Sequence, residues 1–291
     1  MTPLEAHLIC VGLVLADLFA RAWRIQWLAR GLGYRLRFRD AFTVNAFGDA
    51  ACAVTPMRLG GEPARLGGLL RAGIPPAAAF VAITYEVLAA WPVILLTAFV
   101  VGWRYAPDWW HDTAPRVGAA LREAWIWLVV VVALTLLAWV WVKLRAPAAT
   151  RHLKRPVRRA LVHWRQMQSW SVAAGLPMTL VNVVTRVAIL PVLVSSLPDP
   201  PALGPVLVGS FALLYSQLIL PTPSGAGMVD LGFLAGAAGE LGTAEGGLLL
   251  AWRFYTTGIG VLLGFGLAIH TFGWQTVRRF WKRPEVMLEG K

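Results

Sequence analysis

The stretch Thr55–Leu66, TPMRLGGEPARL, decides how this chain must fold. It places two arginines and a glutamate around a Gly-Gly pair, with a proline on each side of that pair. Proline and glycine interrupt helices, and a charge at the centre of a membrane helix costs about 2.5–3.5 kcal/mol. Neither a spanning helix nor a surface loop suits this sequence in a chain that is 57% hydrophobic. It predicts an irregular segment that is sheltered by the rest of the protein.

The composition around this stretch is that of a membrane protein. Only 14% of the 291 residues are charged, against about a quarter in soluble domains, and the mean hydropathy is +0.61. Apolar runs of about twenty residues can cross a hydrocarbon core as helices. We therefore predict an all-α, polytopic helical membrane protein that keeps its first helix. The further predicted spanning segments are Pro76–Trp103, Val117–Val142, Trp170–Ser196 and Gly247–Trp274.

Basic residues flank the apolar segments and give the orientation. They follow the first helix from about residue 24, fill the linker 143–168 and close the chain, which predicts that all three stretches, including the C-terminus, are cytoplasmic. The net charge of +12 follows from this distribution and favours anionic lipid headgroups rather than nucleic acid as partners. No insert is long enough to fold separately. Residues 1–291 are predicted to be one membrane domain, multi-pass in the plasma (cytoplasmic, or inner) membrane.

The spanning segments can be connected only if two others return to the side on which they start. The first helix ends inside and Pro76–Trp103 must also start inside, so Ala41–Arg71 has to leave the cytoplasm and come back. Leu203–Glu240 must do the same from the outside. Each is too short for two crossings and a turn. Both are predicted to be re-entrant helical hairpins, the first holding Thr55–Leu66 and the second LPTPSGAGMVDLG, Leu220–Gly232.

The two halves, about 4–103 and 170–274, are predicted to form an inverted repeat, since one starts outside and the other inside. Repeats with Gly/Pro-broken segments at matching positions indicate a transporter site near the bilayer midplane. The matched positions are Asp17 with Asn182, Arg21 with Arg186, Pro56 with Pro221 and Gly60 with Gly225 at an offset of 165 residues, then Glu62 with Asp230 at 168 and Glu86 with Arg253 at 167.

The charged residues of the apolar segments are the candidate site. Several uncompensated charges would outweigh the stability of a typical protein, so they are predicted to converge on one another or on water. Buried ion pairs that fix helix register are the structural alternative for any one of them. The candidate substrate-binding and translocation residues are Glu62, Arg65, Glu86, Asp230, Arg253, Arg58, Arg21 and Arg186. The candidate hairpin-backbone residues are Pro56, Gly60, Gly61, Pro221, Pro223, Ser224, Gly225 and Gly227.

The candidate site offers chemistry for either sign of charge. Free backbone amides after Gly60 and Gly225 would favour an anionic group. The carboxylates of Glu62 and Asp230 would instead hold a cationic one. The sequence leaves both possibilities open.

Other signals predict no catalytic residue, metal or cofactor. Ser224 would need a base, and the nearest histidine along the chain, His270, is predicted at the cytoplasmic end of the last helix. Cys10 and Cys52 lie in apolar segments without metal-ligand partners. The sequence has no Gly-rich phosphate loop followed by Lys-Ser/Thr, so no nucleotide site is predicted.

The motifs of both halves resemble one known family. The segment VTPMRLGGEPARLGGLLRAGIPPAAAFVAITYEVL, Val54–Leu88, is similar to the signature of the lysylphosphatidylglycerol synthase transmembrane-domain family of flippase-like integral membrane proteins. LPTPSGAGMVDLGFL, Leu220–Leu234, and LLLAWRFYTTGIGVLLG, Leu248–Gly264, resemble its Pro–Gly–Gly–x–Gly–x–x–Glu motif and its Tyr-Arg-type helix. The resemblance runs from about residue 5 to about residue 275.

The resemblance implies a lipid-handling membrane part and marks the same site residues. The chain departs from the family pattern at Asp230, where the family has Glu, at Ser224, which replaces a glycine, and at Trp252, where a tyrosine is expected. Members that make aminoacyl lipid carry a cytosolic transferase domain after the membrane part. The sequence ends at Lys291 without one, so that synthesis is not implied.

These observations predict a lipid transporter of the flippase-like class, not an enzyme. A polar-headgroup lipid, a phospholipid or another, would cross between leaflets through a polar cavity at the hairpins while its tails stay in the bilayer. Membrane lipids are the expected partners; the lipid, the direction, the coupling ion and the oligomeric state stay open. The alternatives are a non-transporting scaffold or assembly subunit, and an intramembrane enzyme acting on a lipid phosphate.

Overall fold

The structure is a computed structural model that describes residues 1–106, 147–218, 220, 222–237 and 244–272. These residues form helices and connecting turns with no strand, which confirms the all-α prediction. The helices are α1 (Pro3–Gly31), α2 (Phe38–Val54), α3 (Gly61–Arg71), α4 (Pro76–Tyr105), α5 (Pro147–Gln166), α6 (Ser169–Val194), α7 (Leu203–Ser216), α8 (Met228–Ala237), α9 (Glu245–Arg253) and α10 (Ile259–Phe272), with a π-helical turn, Phe254–Gly258, joining the last two.

Four of these segments are long and apolar enough to cross a membrane. They contain 26 to 30 residues, which at about 1.5 Å per residue exceeds a hydrocarbon core of about 30 Å. A multi-pass membrane protein is thereby confirmed. The predicted span Val117–Val142, the start of the basic linker and the C-terminal residues 273–291 lie outside the described residues. The four spans are Pro3–Gly31, Pro76–Tyr105, Ser169–Val194 and Glu245–Thr271.

The first helix has a strong start and runs further than predicted. At its N-terminus the Glu5 amide donates to the Thr2 hydroxyl, and the Thr2 amide donates to the Glu5 carboxylate at 2.8 Å. This reciprocal capping satisfies two amides that have no partner within the helix. The helix continues to Gly31, whereas the sequence predicted a cytoplasmic end at about residue 24. Arg24 does not end the helix because it is buried and paired with Glu86.

Helix α1 joins two hydrophobic cores. Its C-terminal half packs with α2, α3 and α4 around side chains such as Ile25 and Leu69, both fully buried. Its N-terminal half packs with α6, α8 and α9 around Cys10, Ile189 and Trp252. The most extensive helix–helix contact in the described chain is between α1 and α6. These two helices therefore form the centre of the protein.

Two pairs of short helices form hairpins whose loops meet. Helices α2, α3, α7 and α8 contain 17, 11, 14 and 10 residues. At about 1.5 Å per residue, all are shorter than a hydrocarbon core of about 30 Å. Pro56 in the α2–α3 loop and Pro223 in the α7–α8 loop form an isolated antiparallel bridge. The two loops thus touch within the protein; their re-entrance into a membrane stays a prediction.

The two hairpin loops have matching backbone conformations. Met57 and Arg58 have φ angles of 51° and 59°, and Ser224 and Gly225 have φ angles of 50° and 67°. Three of these residues are not glycine, and a left-handed conformation costs such a residue about 1–2 kcal/mol. The same uncommon conformation at consecutive positions in both loops indicates that they are built to one pattern.

The two loops match in backbone conformation at an offset of 167 residues, whereas the sequence pairs Pro56 with the residue 165 positions on; the repeat itself stays a prediction. Equivalent turn hydrogen bonds run from the Arg58 amide to the Thr55 carbonyl and from the Gly225 amide to the Thr222 carbonyl. Helices α3 and α8 also begin 167 residues apart. Pro56 therefore corresponds to Pro223, not to the residue 165 positions on. The reason is that the left-handed turn directly follows a Thr-Pro pair in both loops. The proline of that pair is Pro56 in the first loop and Pro223 in the second.

Helices α2 and α10 are in close contact through a glycine. A Cβ atom at Gly264 would lie 2.6 Å from the Ala50 Cβ and would also clash with the Ala46 carbonyl oxygen. Four residues earlier, Gly260 is packed against Asp49, where a Cβ would lie 3.1 Å from the Asp49 Cβ. Small residues at this spacing allow membrane helices to approach closely.

This contact predicts that Gly264→Val will destabilise the protein. Overpacking of a tight contact costs about 1–3 kcal/mol, because helix α2 would have to move away from α10. Thermal unfolding of purified protein in detergent should give a Tm below that of wild type. Gly266→Val is the matched control on the same helix, since a Cβ there has no atom within 4 Å. Equal melting temperatures for the two variants would contradict the close contact.

Candidate functional site

The buried charges of the described chain are separated into three groups, whereas the sequence predicted one. The first, the Glu86 cluster, joins Glu86 to Arg24 and Arg65. The second lines a cavity beside the first hairpin loop. The third is the ion pair between Asp230 and Arg253 in the second hairpin.

In the Glu86 cluster one buried carboxylate binds two arginines. Glu86 in α4 has a side chain that is 2% exposed, and its two oxygens accept hydrogen bonds from Arg24 of α1 and Arg65 of α3 respectively. Arg24 donates a further hydrogen bond to the Thr179 hydroxyl of α6 at 3.0 Å. Glu62, which is 48% exposed, lies 3.4 Å from Arg65. Two arginines and, with Glu62, two glutamates give the group no net charge, and the contacts tie four helices together, as a structural ion network does.

The second group surrounds a small cavity between α1, α2, α6 and the π-helical turn. Arg21 binds two carboxylates there, Asp17 at 3.0 Å and Asp49 at 2.7 Å, and Asn182 donates a hydrogen bond to Asp17. The cavity volume is about 20 Å³, which is room for about one water. We call it the arginine cavity; its polar lining is Asp17, Arg21, Asp49, Arg58, Arg186, Tyr255, Thr256 and Thr257.

Two arginines of this cavity have no acidic partner among the described residues. No carboxylate lies within 4.0 Å of Arg58 or Arg186 in that part of the chain. Arg58 donates instead to the Gln217 side-chain oxygen at 3.0 Å, and Arg186 donates to the Thr256 carbonyl. With three arginines and two aspartates, the lining has a formal charge of +1. An excess of positive charge in a buried cavity favours an anionic ligand.

The π-helical turn Phe254–Gly258 presents polar groups to the cavity. A π turn widens the helix locally and is frequent at functional sites. Here the Thr256 carbonyl accepts from Arg186, while the Thr256 hydroxyl donates back to the Trp252 carbonyl at 2.7 Å. The next hydroxyl, that of Thr257, is buried and has no hydrogen-bond partner.

The third group holds the second hairpin loop in place. Arg253 binds Asp230 at 2.6 Å and donates to the Ser224 carbonyl at 2.9 Å. Asp230 also accepts from the Gly227 amide at 2.8 Å, at the start of α8. Both side chains thus have partners within the hairpin and its neighbour α9. The Ser224 hydroxyl is buried without a hydrogen-bond partner, so no described histidine activates it.

Five amides in the two hairpin loops, near Gly60 and Gly225, are already engaged. Each donates a hydrogen bond to an acceptor of its own loop or helix start. Positive charge near the loops therefore comes from arginine side chains. The engaged amides are those of Gly60, Gly61, Gly225, Ala226 and Gly227.

The glycines of the first loop are required by close packing. A Cβ at Gly60 would lie 2.6 Å from the Thr55 side chain, and one at Gly61 would clash with the Cys52 sulfur. The Thr55 hydroxyl accepts from the Gly60 amide at 2.9 Å, which closes the loop. The Gly-Gly pair is thus needed to fold the loop back onto α2.

A second, larger groove lies where α2, α3 and α10 meet, near the start of α2. Its volume is about 340 Å³. Its lining is basic, with three arginines, one histidine and one aspartate. We call it the basic groove; these residues are Arg37, Arg39, Arg71, His270 and Asp40. The basic stretch after α1 that was predicted to be cytoplasmic contributes part of this lining.

The sequence missed three residues that the structure brings to these groups. Asp49 is the acid in the second half of α2, and Arg24 is on the same face of α1 as Asp17 and Arg21, at helical spacing. Both residues could have been found from the sequence, because each is a charge inside an apolar helix. Gln217 follows α7, and nothing in the sequence marks it as part of a charged group. Pro221 lies outside the described residues, and the other candidate residues fall in the groups and loops described above.

Comparison with known proteins gives one match. The family model described as "Lysylphosphatidylglycerol synthase TM region" matches residues 2–264. No curated protein and no solved structure matches the chain. The match covers helices α1 to α9 and ends within α10. It therefore spans all three charged groups. The chain belongs to the family of lysylphosphatidylglycerol synthase transmembrane regions, a lipid-related family of membrane proteins.

Proposed function

We propose that this protein is a lipid transporter of the flippase-like class, which moves a polar-headgroup lipid between leaflets. One observation carries the proposal: two hairpin loops meet at Pro56 and Pro223 beside a buried cavity lined by three arginines and two aspartates. The headgroup would pass at this meeting point while the acyl tails stay in the bilayer. Family membership supports a lipid as the substrate class.

The physical task of such a protein is to lower the desolvation cost of a headgroup. Moving a charged or polar group into hydrocarbon is costly unless hydrogen bonds and opposite charge replace its water. Irregular backbone at membrane depth is tolerated where it is buried in protein or lines a watery cavity. The two hairpin loops with their arginines meet both conditions.

The matched loops support an inverted repeat with re-entrant hairpins. The loops share an uncommon backbone and lie 167 residues apart. Asp17 and Asn182, which the sequence predicts to be equivalent, are hydrogen-bonded to each other. Equivalent residues of an inverted repeat meet when they lie near its two-fold axis, and substrate sites of such transporters lie at the interface of the repeats.

The described conformation is closed. The arginine cavity, at about 20 Å³, is too small for a headgroup, whereas the basic groove, at about 340 Å³, has room for one. The contact of Gly264 with Ala46 and Ala50 lies between the groove and the cavity. Transport therefore requires the hairpins to move, and we infer that the headgroup enters through the basic groove, which lies next to this contact.

The scaffold alternative applies to one of the charged groups. Glu86 is buried and both of its oxygens are bound to arginines, which supports a structural role in holding α1, α3, α4 and α6 together. Arg58 and Arg186 have no acidic partner in the described chain, and a purely structural role leaves their charge unexplained.

Glu86→Gln is therefore expected to destabilise the fold. Removing the carboxylate leaves Arg24 buried without an acidic partner and Arg65 with only the half-exposed Glu62, a loss of about 3–5 kcal/mol. Glu62→Gln is the control, because that half-exposed side chain makes a surface-type pair worth about 0–1 kcal/mol. The measurement is thermal unfolding in detergent. Equal stability of the two variants would show that Glu86 is not a structural centre.

The transport proposal is tested with protein in liposomes that carry headgroup-labelled phospholipid. Wild type should expose inner-leaflet label to a membrane-impermeant quencher. If transport is coupled to a proton gradient or a membrane potential, the exposure should require that gradient or potential. Arg186→Gln should slow this exposure by about tenfold or more, which corresponds to about 1.4 kcal/mol in the barrier. It should also fold, since it leaves no carboxylate unpaired.

The matched control is Arg158→Gln, which removes an exposed arginine of α5 outside the cavity. It should transport as wild type does. Liposomes without protein give the background rate. Failure of wild type to expose any of several labelled lipids, with and without a gradient, would favour the scaffold alternative. A chemically altered lipid would favour the enzyme.

A further inference from the structure

We propose that the arginine cavity recognises the phosphate group of a lipid, as a monoanion, through Arg58 and Arg186. This inference rests on the proposed function in one respect: the proposed function makes a lipid the source of the phosphate. It narrows the substrate class to phosphate-bearing lipids and makes the rest of the headgroup secondary to recognition.

The charge of the cavity fits a monoanion. Asp17 and Asp49 are both bound to Arg21, which leaves this trio with one excess negative charge. That charge offsets one of the two other arginines, so one positive charge of the lining is left over. The lining as a whole has a formal charge of +1. One phosphodiester carries one negative charge and would make the occupied cavity neutral.

The unused hydrogen-bond donors fit an oxyanion. A guanidinium has five donor positions, and Arg58 and Arg186 each make a single side-chain hydrogen bond in the described structure. The buried Thr257 hydroxyl lacks a partner. A group that only accepts hydrogen bonds would satisfy these donors.

The geometry of the donors favours phosphate. Arg58 comes from the first hairpin loop, Arg186 from α6 and Thr257 from the π-helical turn, so three separate elements supply the donors. A planar carboxylate is matched by one arginine fork, whereas a tetrahedral phosphate presents oxygens in several directions. Phosphate is also the anion that phospholipids carry where headgroup and tails join, so this position lets the tails stay in lipid.

Phosphate binding would be coupled to loop movement. Arg58 is held in a left-handed conformation, with φ 59°, on the loop whose Pro56 touches Pro223. The cavity is too small for a phosphate in the closed conformation, so entry of the anion requires this loop to shift outward. Once bound, the anion would connect the first loop to α6 and to the π-helical turn.

Direct binding in detergent tests the inference without transport. The titrants are dihexanoyl phosphatidylglycerol, dihexanoyl phosphatidic acid, dihexanoyl glycerol and inorganic phosphate, with heat or native mass as the readout. Wild type should bind both phosphate-bearing lipids and should not bind the uncharged glyceride. Arg58→Gln and Arg186→Gln should each weaken lipid binding by tenfold or more, while Arg158→Gln should stay within twofold of wild type.

The outcomes separate the sources of the anion and the two proposals. Tighter binding of the lipids than of inorganic phosphate supports a lipid ligand, whereas equal or tighter binding of inorganic phosphate overturns it in favour of a free anion. Arg58→Lys, which keeps the charge, should bind better than Arg58→Gln and keeps the test usable if the latter does not fold. If wild type binds these lipids and the arginine variants do not, but wild type transports no lipid, the phosphate inference stands and the transporter proposal is overturned. Transport of phosphate-free lipid, unchanged by Arg58→Gln and Arg186→Gln, would overturn the phosphate inference alone.

Discussion

The fold depends on neutralising charge along one face of α1, because hydrocarbon offers no water to do so. Arg21 is held between Asp17 and Asp49, and one turn further on Arg24 is held by Glu86. These ion pairs connect the first helix to α2 and α4, and hydrogen bonds from the same face reach α6. Since α1 belongs to both hydrophobic cores, its polar face fixes how the two halves of the protein meet.

Charges of similar sequence context have different roles in this arrangement. Glu86 is bound by two arginines, and removing its charge leaves Arg24 buried without an acidic partner. Arg253 and Asp230 close the second hairpin loop, with Arg253 also binding the Ser224 carbonyl. Among the three buried charged groups of the described chain, the arginine cavity is the one with cations that form no salt bridge. Function, in our account, lies where pairing is incomplete.

The sequence was sufficient to predict the helical membrane fold, the broken segments at both hairpins and most of the charged residues, because each departs visibly from an apolar background. It could not predict which charges meet. Glu62 and Glu86 are equally conspicuous in the sequence, yet one is half-exposed and the other buried between two arginines. Arg24 was assigned to a cytoplasmic stretch because a basic residue near a helix end follows the positive-inside pattern, and only packing shows that it is internal. The offset of Pro56 and Pro223 likewise depends on backbone angles, not on the count of prolines.

The central claim is that the headgroup passes where the two hairpin loops meet, and locking the loops together tests it most directly. Residues that face each other in an antiparallel bridge have Cα atoms about 4.5–5.5 Å apart, which suits a disulfide. Pro56→Cys with Pro223→Cys, in a background where Cys10 and Cys52 are replaced by alanine, would be compared in oxidised and reduced proteoliposomes. Our account predicts that oxidation stops lipid crossing and that a reductant restores it. Equal crossing rates with a fully formed cross-link would contradict it.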